Sequence, residues 1–346
     1  VTGLLGNDTV DYELSRARGE NVGSYAITPD GDKDQGNYKV SYVNGELTIT
    51  KSDAMTLTVG SLEKPYDGTA LTTTASASVT EGTTIEYKVG DGAWSTTAPS
   101  RTNVGTTTVS VRATNANYET ATATYTLKVT PKTVTVTANN KTKVYGTSDP
   151  EFDATVTGLL GNDTVDYELS RAEGETVAGS PYAITPEGDE TQGNYAVTYV
   201  EGELTITKAG TLTVTGTNLS KVYDGTALVS TAATANVTDG TTIEYKAGNG
   251  AWSTTAPSRT NVGETTVNVR ATNADYETAT AEYTLTVTPK EVTVIANDKT
   301  KVYGTSDPEF DATVEGTIGT DTVDYELSRA EGENVGSYAI TPEGEA

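Results

Sequence analysis

One short stretch of the sequence has the residue types and spacing of a nucleophilic catalyst. Ser61 and Lys64 have the S-x-x-K spacing in which a lysine amine activates a serine hydroxyl for acyl transfer. The chain repeats itself, and the second copy of this region has Asn218 at the position of Ser61. Because acyl transfer depends on the nucleophile, the repeat indicates a chance spacing and no acylase.

A second stretch has the alternating carboxylates of a calcium loop. Asp30, Asp32 and Asp34 have the right spacing for the first ligands of such a loop. The loop also needs a glycine at its sixth position and a bidentate glutamate at its twelfth, and this sequence has Gln35 and Ser41 there. We therefore predict a solvated acidic turn and no metal site.

Paired carboxylates at Asp149, Glu151 and Asp153 are the residue type with which glycoside hydrolases act on the two sides of a scissile bond. The same carboxylates recur in a later copy of the segment, just before a strand pattern, where Asp favours turns. We predict that they are turn formers. The sequence thus predicts no catalytic residue, no cofactor and no enzymatic activity.

Composition limits the chemistry further. The 346 residues include no His and no Cys, so the usual neutral-pH general base, thiolate chemistry and disulfides are absent. With 48 acidic and 23 basic residues the formal charge is −25, which repels nucleic acid and anionic membranes. No apolar run approaches the roughly 20 residues that cross a bilayer. We predict neither nucleic-acid binding nor membrane insertion, and the lack of Cys favours a surface protein.

Two tryptophans are the candidate ligand contacts. Trp94 and Trp252 follow the glycine-containing turns GDGA and GNGA in two copies of the same hairpin. An indole ring at such a tip has the shape to stack on a sugar, which is the ligand role that we consider for both residues. The alternative is that each ring covers the end of its own module.

The sequence is organised as two alternating types of repeat, A and B. The segment GAWSTTAPSRTNVG is identical in the two B repeats, and KVYGTSDPEF is identical in two A repeats. We assign, in order, the rear part of an A module (1–51, the first A segment), a B module (52–131), a complete A module (132–208), a second B module (209–289) and the front part of an A module (290–346, the third A segment).

Within each module the local pattern is that of short strands. Stretches such as VTVTAN, YAVTYV and TTVNVRAT alternate apolar with polar residues and are rich in Val, Ile, Thr and Tyr. Glycine-containing turns separate them, and no helical period is present. We predict an all-β tandem array of small two-layer β-sandwiches that forms an elongated rod, with a curled β-grasp-like sheet as the alternative for A.

The cores of such small modules need large side chains or covalent staples. The chain has 20 Tyr but only 2 Phe and 2 Trp, so we expect tyrosine rings in the cores. The candidates are Tyr145, Tyr167, Tyr182 and Tyr195 in A, and Tyr223, Tyr245, Tyr276 and Tyr283 in B. A Lys to Asn isopeptide bond, with Lys143 or Lys221 and Asn194, is a conceivable staple, although a solvated lysine is the simpler interpretation.

The decapeptide KVYGTSDPEF, at residues 143–152 and again at 301–310, is interpreted as a structural joint. Tyr145 is predicted to point inward, and Gly146 permits a sharp bend. The Asp149-Pro150 pair is predicted to begin a turn before a strand at Phe152, because proline fixes φ. Recent duplication accounts for the identity of the two copies.

The A pattern combines KVYGTSDPEF, GLLGNDTVDYELSRAEGE, GSPYAITPEG and GNYAVTYVEGELTITK, and it resembles the YGX-type MBG modules of bacterial surface adhesins. The B pattern, with KVYDGTAL, NVGETTVNVRATNADYE and YTLTVTPK, resembles the YDG-type and Ig-like repeats of the same adhesins. The resemblance covers essentially the whole chain. It implies Ig-like β-sandwiches on a bacterial cell surface, attached to the wall or envelope, and supplies no catalytic residues.

These expectations favour a structural function. Only three residues, such as 208–210 or 288–290, lie between the strand patterns of adjacent modules, and five segments of roughly 30 to 40 Å each would approach about 150 Å. We predict a stalk that projects a binding head from the envelope. The alternative is that the modules themselves bind host glycan or mucin through Trp94 and Trp252. The incomplete A segments predict either a window on a longer array or self-association through those segments.

Overall fold

The computed structural model describes residues 1–345 as an all-β protein. These residues form 33 strands and contain no helix, hence none long and apolar enough to cross a membrane. The fold divides into two compact units. One unit contains Val1–Asn139, Phe152–Ser170 and Thr185–Gly202, and the other contains Asn140–Glu151, Arg171–Ile184 and the residues from Glu203 onward. The complete A module contributes strands to both units.

The two B modules have eight strands each, at matching positions. Those of the first are β6 Leu57–Thr58, β7 Leu62–Pro65, β8 Leu71–Thr72, β9 Ser76–Ala77, β10 Thr84–Val89, β11 Ser100–Arg101, β12 Gly105–Thr114 and β13 Ala121–Thr130. Those of the second are β22 Val214–Thr215, β23 Leu219–Val222, β24 Leu228–Val229, β25 Thr234–Ala235, β26 Thr242–Ala247, β27 Ser258–Arg259, β28 Gly263–Thr272 and β29 Ala279–Thr288.

Each B module is a small β-sandwich. In the first, a four-stranded sheet of order β10-β12-β13-β7 is accompanied by the two-stranded sheets β8-β11 and β6-β9. Alternate residues of the long strands are buried, as Val109 and Val111 are in β12, because successive side chains of a strand point to opposite faces. Leu71 of β8 and Leu57 of β6 pack on the same core, so the sheets enclose one apolar cluster.

The complete A module also has eight strands: β14 Lys132–Ala138, β15 Lys141–Val144, β16 Ala154–Thr157, β17 Glu168–Arg171, β18 Tyr182–Glu187, β19 Thr191–Gln192, β20 Tyr195–Val200 and β21 Gly202–Thr207. They form two four-stranded sheets, of order β16-β14-β20-β19 and β15-β21-β18-β17. The complete A module thus has two separate sheets, and its described residues contain no helix. The alternative of a single curled, β-grasp-like sheet does not describe it. The opening strands β14 and β15 pair in parallel with the closing strands β20 and β21.

The other two A segments contain subsets of these strands. The first has β1 Glu13–Arg16, β2 Gly23–Asp30, β3 Asp34–Gln35, β4 Tyr38–Lys39 and β5 Gly45–Ile49. The third has β30 Thr293–Ala296, β31 Ala312–Glu315, β32 Glu326–Arg329 and β33 Ile340–Glu343.

The predicted tyrosine core is confirmed in part. Tyr195, Tyr245 and Tyr283 are buried, with 4%, 6% and 2% of their surface exposed, and belong to apolar clusters. The remaining five candidates are half-buried. Two of these, Tyr145 and Tyr276, contact each other across a junction between modules. The sequence pattern within one module is the same for a tyrosine at a junction and a tyrosine in the core, so it does not distinguish them.

Candidate functional site

Ser61 and its counterpart Asn218 have the same structural role. The Ser61 hydroxyl oxygen accepts a hydrogen bond from the backbone N–H of Thr126 at 3.0 Å, and the Asn218 side-chain oxygen accepts one from Thr284 at 2.8 Å. In both modules the side chain therefore satisfies a backbone donor of the long strand that follows. This role explains why either residue fits the position.

The lysine of the S-x-x-K spacing is engaged in a turn. The Lys64 amine donates to Asp67 Oδ1 at 2.7 Å, to the Thr69 hydroxyl at 2.6 Å and to the Thr69 carbonyl at 2.8 Å. The hydrogen bond that Lys64 donates to Asp67, followed by those from the Thr69 hydroxyl and backbone N–H, holds the pKa of the Asp67 carboxyl far below its ordinary value. The second B module repeats the turn with Lys221, Asp224 and Thr226. In both B modules the lysine is therefore held as part of a turn.

The acidic turn of the first segment is organised by Gln35. Its amide donates hydrogen bonds to the backbone carbonyls of Asp11 and Asp32, at 2.7 and 3.0 Å, and to the Tyr42 hydroxyl at 3.0 Å. The glutamine at the position where a calcium loop needs glycine thus ties the turn to two neighbouring segments. Within residues 1–345 no group of three or more carboxylates is placed to hold a metal ion.

The carboxylate Asp149 lies in a four-residue ionic cluster. Lys143 Nζ lies 2.6 Å from Asp149 and 2.5 Å from Glu175, and the Arg171 guanidinium bonds the same two acids. The hydrogen bonds from Arg171 and Lys143 lower the pKa of Asp149, and those from Lys143 and Arg171 lower the pKa of Glu175. A glycosidase acid needs a raised pKa, so this cluster is unsuited to general-acid catalysis.

The cluster also gives no support to the proposed isopeptide bond. The bonds to Asp149 and Glu175 raise the pKa of Lys143, which keeps the amine protonated and non-nucleophilic. The Asn194 amide bonds instead to residues of the first B module, at 2.9 Å from the Val104 backbone N–H. Sequence reasoning missed the cluster, although its four residues recur together as Lys301, Asp307, Arg329 and Glu333 in the third segment.

The candidate glycan contacts are half-buried and lie beside cations. The Arg112 guanidinium lies 4.4 Å from the centre of the Trp94 ring, and Arg270 lies at the same distance from Trp252. Each arginine is also paired with a glutamate of the adjacent strand, as Arg112 is with Glu86 at 2.8 Å. Cation–π contact and the ion pair fix the orientation of each ring.

Neighbouring modules are joined by one recurrent hydrogen bond. At three junctions a valine backbone N–H of one module donates to an Asn or Asp side-chain oxygen of the next. The pairs are Val22 with Asn117 at 2.9 Å, Val104 with Asn194 at 2.9 Å and Val177 with Asp275 at 2.7 Å. The loop that carries the valine (21–22, 103–104 or 176–177) is termed the donor loop. The Asn or Asp with its following tyrosine (117–118, 194–195 or 275–276) is termed the acceptor corner.

The linkers are fixed by backbone bonds to the same corners. In all three junctions the N–H of the first residue of a module, which directly follows the linker, donates to the backbone carbonyl of that module's acceptor corner at 3.0 Å. The donor and acceptor pairs are Ser52 and Asn117, Lys132 and Asn194, and Ala209 and Asp275. Each linker therefore enters the next module as part of its hydrogen-bonded structure.

Tyrosine pairs complete two of the junctions. Tyr66 of the first B module meets Tyr195 of the complete A module edge to face, with ring centres 5.7 Å apart. Tyr145 of the complete A module meets Tyr276 of the second B module at 5.3 Å in the same type of contact. Such aromatic pairs have a preferred mutual orientation, so they restrict rotation at the junction.

The decapeptide supplies one side of such a junction. Gly146 has φ of 80°, a conformation that glycine adopts without strain, and the chain turns there directly after Tyr145. The prediction of a structural joint agrees with this geometry. The following strand begins at Ala154 and not at Phe152.

Several solved structures are similar to this chain at low sequence identity. The immunoglobulin domains 1–5 of Sidekick-1 share 14% identity over 78% of this chain and 67% of theirs, with a TM-score of 0.26. Domains EC3–6 of protocadherin gammaB7 share 11% over 82% and 92%, with a TM-score of 0.32. A 1.5-MDa bacterial ice-binding adhesin shares 13% over 69% and 99%, with a TM-score of 0.32. No curated protein matches the chain.

Family comparison gives a direct match to the sequence. The MBG domain (YGX type) matches three separate ranges, residues 1–48, 134–205 and 292–346. All three lie in the A-type repeats, whose motifs carried the resemblance. Because the three ranges together make up more than half of the chain, this protein belongs to the MBG domain (YGX type) family.

Proposed function

We propose that the chain is a structural stalk of a bacterial cell-surface adhesin, without enzymatic activity of its own. Its modules would hold a binding head at a distance from the envelope to which the protein is attached. Membership of the MBG family, the alternation of repeats and the charge of −25 support an extracellular, adhesion-related role. A strongly charged surface also keeps a repeat protein soluble.

The observation that carries this proposal is the construction of the junctions. A flexible tether needs linkers without fixed contacts, whereas a spacer needs its neighbours held in a defined orientation. The backbone N–H groups of Val104 and Val177 are bonded to the acceptor corner of the next module, and the tyrosine pairs add packing at the same places. This arrangement favours a spacer.

Small-angle X-ray scattering of the chain tests the spacer. We expect a narrow distribution of the radius of gyration among the conformers that fit the data, and a maximum dimension approaching about 150 Å. A variant with two glycines inserted after Pro131 and after Lys208 should show a broader distribution and a shorter mean length. The matched control carries two glycines in the turn at Gly248, within a B module. If the wild-type chain is already as broadly distributed as the linker variant, the spacer proposal is wrong.

Measurement across concentrations also detects self-association of the incomplete A segments.

Glycan or mucin binding by the modules is the second candidate. It is favoured by the two B-module tryptophans, which are half-buried and held in place by Arg112 and Arg270. An aromatic ring with one fixed orientation is a suitable platform for a sugar. Repetition of the site in both B modules would add avidity.

A glycan array separates the two candidates. The wild-type chain is compared with a Trp94→Ala/Trp252→Ala variant and with Tyr303→Ala, which removes an aromatic side chain that is 70% exposed outside the B modules. Binding that is lost in the tryptophan variant and kept in Tyr303→Ala supports the glycan site. Absence of binding by all three proteins leaves the stalk as the function of the modules.

A further inference from the structure

The junction from A to B and the junction from B to A have the same atomic construction, although the modules differ. In the complete A module the N–H of Tyr145 donates to the carbonyl of Thr207 at 2.8 Å. In the first B module the N–H of Tyr66 donates to the carbonyl of Thr130 at 2.8 Å. Each bond fixes the last strand of its module beside the tyrosine that meets the next module.

The linker that follows has the same length in both cases. Lys132 comes two residues after Thr130, and Ala209 comes two residues after Thr207. The N–H of each donates to the backbone carbonyl of the acceptor corner at 3.0 Å. The first junction repeats this register, because Ser52 comes two residues after Thr50 and makes the corresponding bond. Three junctions between unlike modules thus have one register.

The side-chain pairs differ in a compensating way. Where the acceptor is asparagine, its amide also donates to an asparagine of the donor loop: Asn117 to Asn21 at 2.8 Å, and Asn194 to Asn103 at 3.2 Å. Where the acceptor is Asp275, whose side chain has no N–H to donate, the donor-loop residue is Thr176. The bond from the valine N–H is present in both combinations.

Donor loops that lack an acceptor corner in the described chain provide an internal reference. Val262 of the second B module is 46% exposed and Val335 of the third A segment is 91% exposed. Val22, Val104 and Val177, which are bonded to a corner, are half-buried. The valine of a donor loop is therefore more exposed where no acceptor corner is bonded to it.

From these observations we infer that A and B modules share a single docking interface, so that the donor loop of either type accepts the acceptor corner of either type. The partner of a donor loop is then any module of this kind with an Asn/Asp-Tyr corner and a two-residue linker. Module order is interchangeable at the level of the junction. This inference concerns the junction chemistry and holds whether the array acts as a stalk or binds glycan.

The first test transplants one junction into another within the full chain. Asn103→Thr combined with Asn194→Asp gives the B-to-A junction the Thr/Asp pair of the second A-to-B junction, Thr176 with Asp275. Hydrogen exchange of the Val104 amide reports occupation of the corner. We expect its protection to stay within about 3-fold of wild type, and Asn194→Ala to reduce it by about 5-fold or more, the loss expected for one hydrogen bond. Equal loss in the transplant and in Asn194→Ala would overturn the inference.

The second test creates a junction that the chain does not contain. Deletion of residues 132–208 joins Pro131 to Ala209 and keeps the two-residue register, and Asp275→Asn supplies an asparagine opposite Asn103. We expect the Val104 amide to be as protected as in the intact chain. Insertion of two glycines at the new junction is the control that should abolish this protection. If Val104 exchanges as fast as in that control while the core amides of both B modules stay protected, the interface is not shared.

Discussion

The complete A module and the first A segment place the same sequence positions in different surroundings. Leu204 in the complete module is fully buried, whereas its counterpart Leu47 is 36% exposed. Strand β20 has six residues, and its counterpart β4 has two. The first segment contains no counterpart of β14, which pairs in parallel with β20. An A-type repeat is therefore closed by pairing between its opening and closing strands, and the local pattern of one strand is insufficient to bury it.

The third A segment shows the reciprocal difference. Val134, in the opening strand of the complete module, is fully buried, and its counterpart Val292 is 37% exposed. The ionic cluster is present in both, but the Lys143 side chain is 4% exposed and that of Lys301 is 24% exposed. Four charged residues thus find the same partners without the closing strands, whereas their shielding from water depends on those strands.

The largest effect should come from truncation of the buried leucine. Leu204→Ala should lower the free energy of unfolding of the complete A module by about 2–5 kcal/mol, because it removes apolar contacts and leaves a cavity. Leu47→Ala, at the matching position, should cost less than about 1 kcal/mol, since water already contacts that side chain. Hydrogen exchange of amides in β21 and β5 measures the two changes separately. Equal losses would mean that the exposure of Leu47 does not persist in solution.

The strand content of the chain was predictable because alternation of apolar and polar residues is a local property. The pattern in TTVNVRAT and its first-module counterpart corresponds to β28 and β12, whose alternate residues Val267, Val269, Val109 and Val111 are fully buried. The turn at Gly146 was predictable for a similar reason, since glycine marks positions of positive φ.

Contacts between distant segments were not predictable from one sequence. Tyr145 has the pattern of a core residue, yet its ring contacts Tyr276 of another module, more than a hundred residues away. The same holds for Asp149, which lies between strands β15 and β16 and whose partner Arg171 is the last residue of β17. The identical recurrence of these residues was visible, but duplication explains recurrence without specifying a contact. The signal that could have indicated the junction is the difference between Asn117 and Asp275, at the same position of the two B modules. It is matched by the difference between Asn21 and Thr176 in the A repeats that precede them.

The buried lysine provides the next test of the comparison. Lys143→Met keeps the length of the side chain and removes the charge that pairs with Asp149 and Glu175. We expect the complete A module to lose about 1–3 kcal/mol, because charged hydrogen bonds in a shielded site are lost. Lys301→Met should have a smaller effect, since solvent screens the more exposed pair. Denaturant unfolding monitored by hydrogen exchange gives both values. A larger loss at Lys301 would contradict the role assigned to the closing strands.

The same cluster predicts a pH dependence with a defined sign. The pKa of Asp149 lies below its ordinary 3.8 and that of Glu175 below its ordinary 4.5, because both accept bonds from Arg171 and Lys143. In acid the unfolded chain then binds more protons than the folded one. The contribution of these two carboxylates to the free energy of unfolding is therefore complete above their ordinary pKa values, and it is lost as the pH falls through their lowered, folded-state pKa values. Thermal unfolding of wild type and Lys143→Met between pH 2 and about 6 tests this. The variant should have the shallower acid loss, and identical slopes would exclude the contribution of the lysine.

The smallest expected effect concerns the junction. Asn194 in the complete A module accepts the Val104 N–H and donates to Asn103, whereas its counterpart Asn37 in the first segment is exposed. Asn194→Ala should cost about 1 kcal/mol, because it leaves the half-buried Val104 donor without its acceptor. Asn37→Ala should change stability by less than about 0.5 kcal/mol, as surface substitutions usually do.

The two substitutions remove the same side chain from the same position of an A-type repeat, so their difference isolates the presence of a preceding B module. Hydrogen exchange of the Val104 amide measures the change at the junction, and amides of β20 measure any change within the module. We expect faster exchange at Val104 and little change in β20 for Asn194→Ala. Faster exchange throughout β20, with a similar effect of Asn37→Ala on β4, would show that the asparagine stabilises its own module. The junction would then depend on the tyrosine pair and the linker bonds alone.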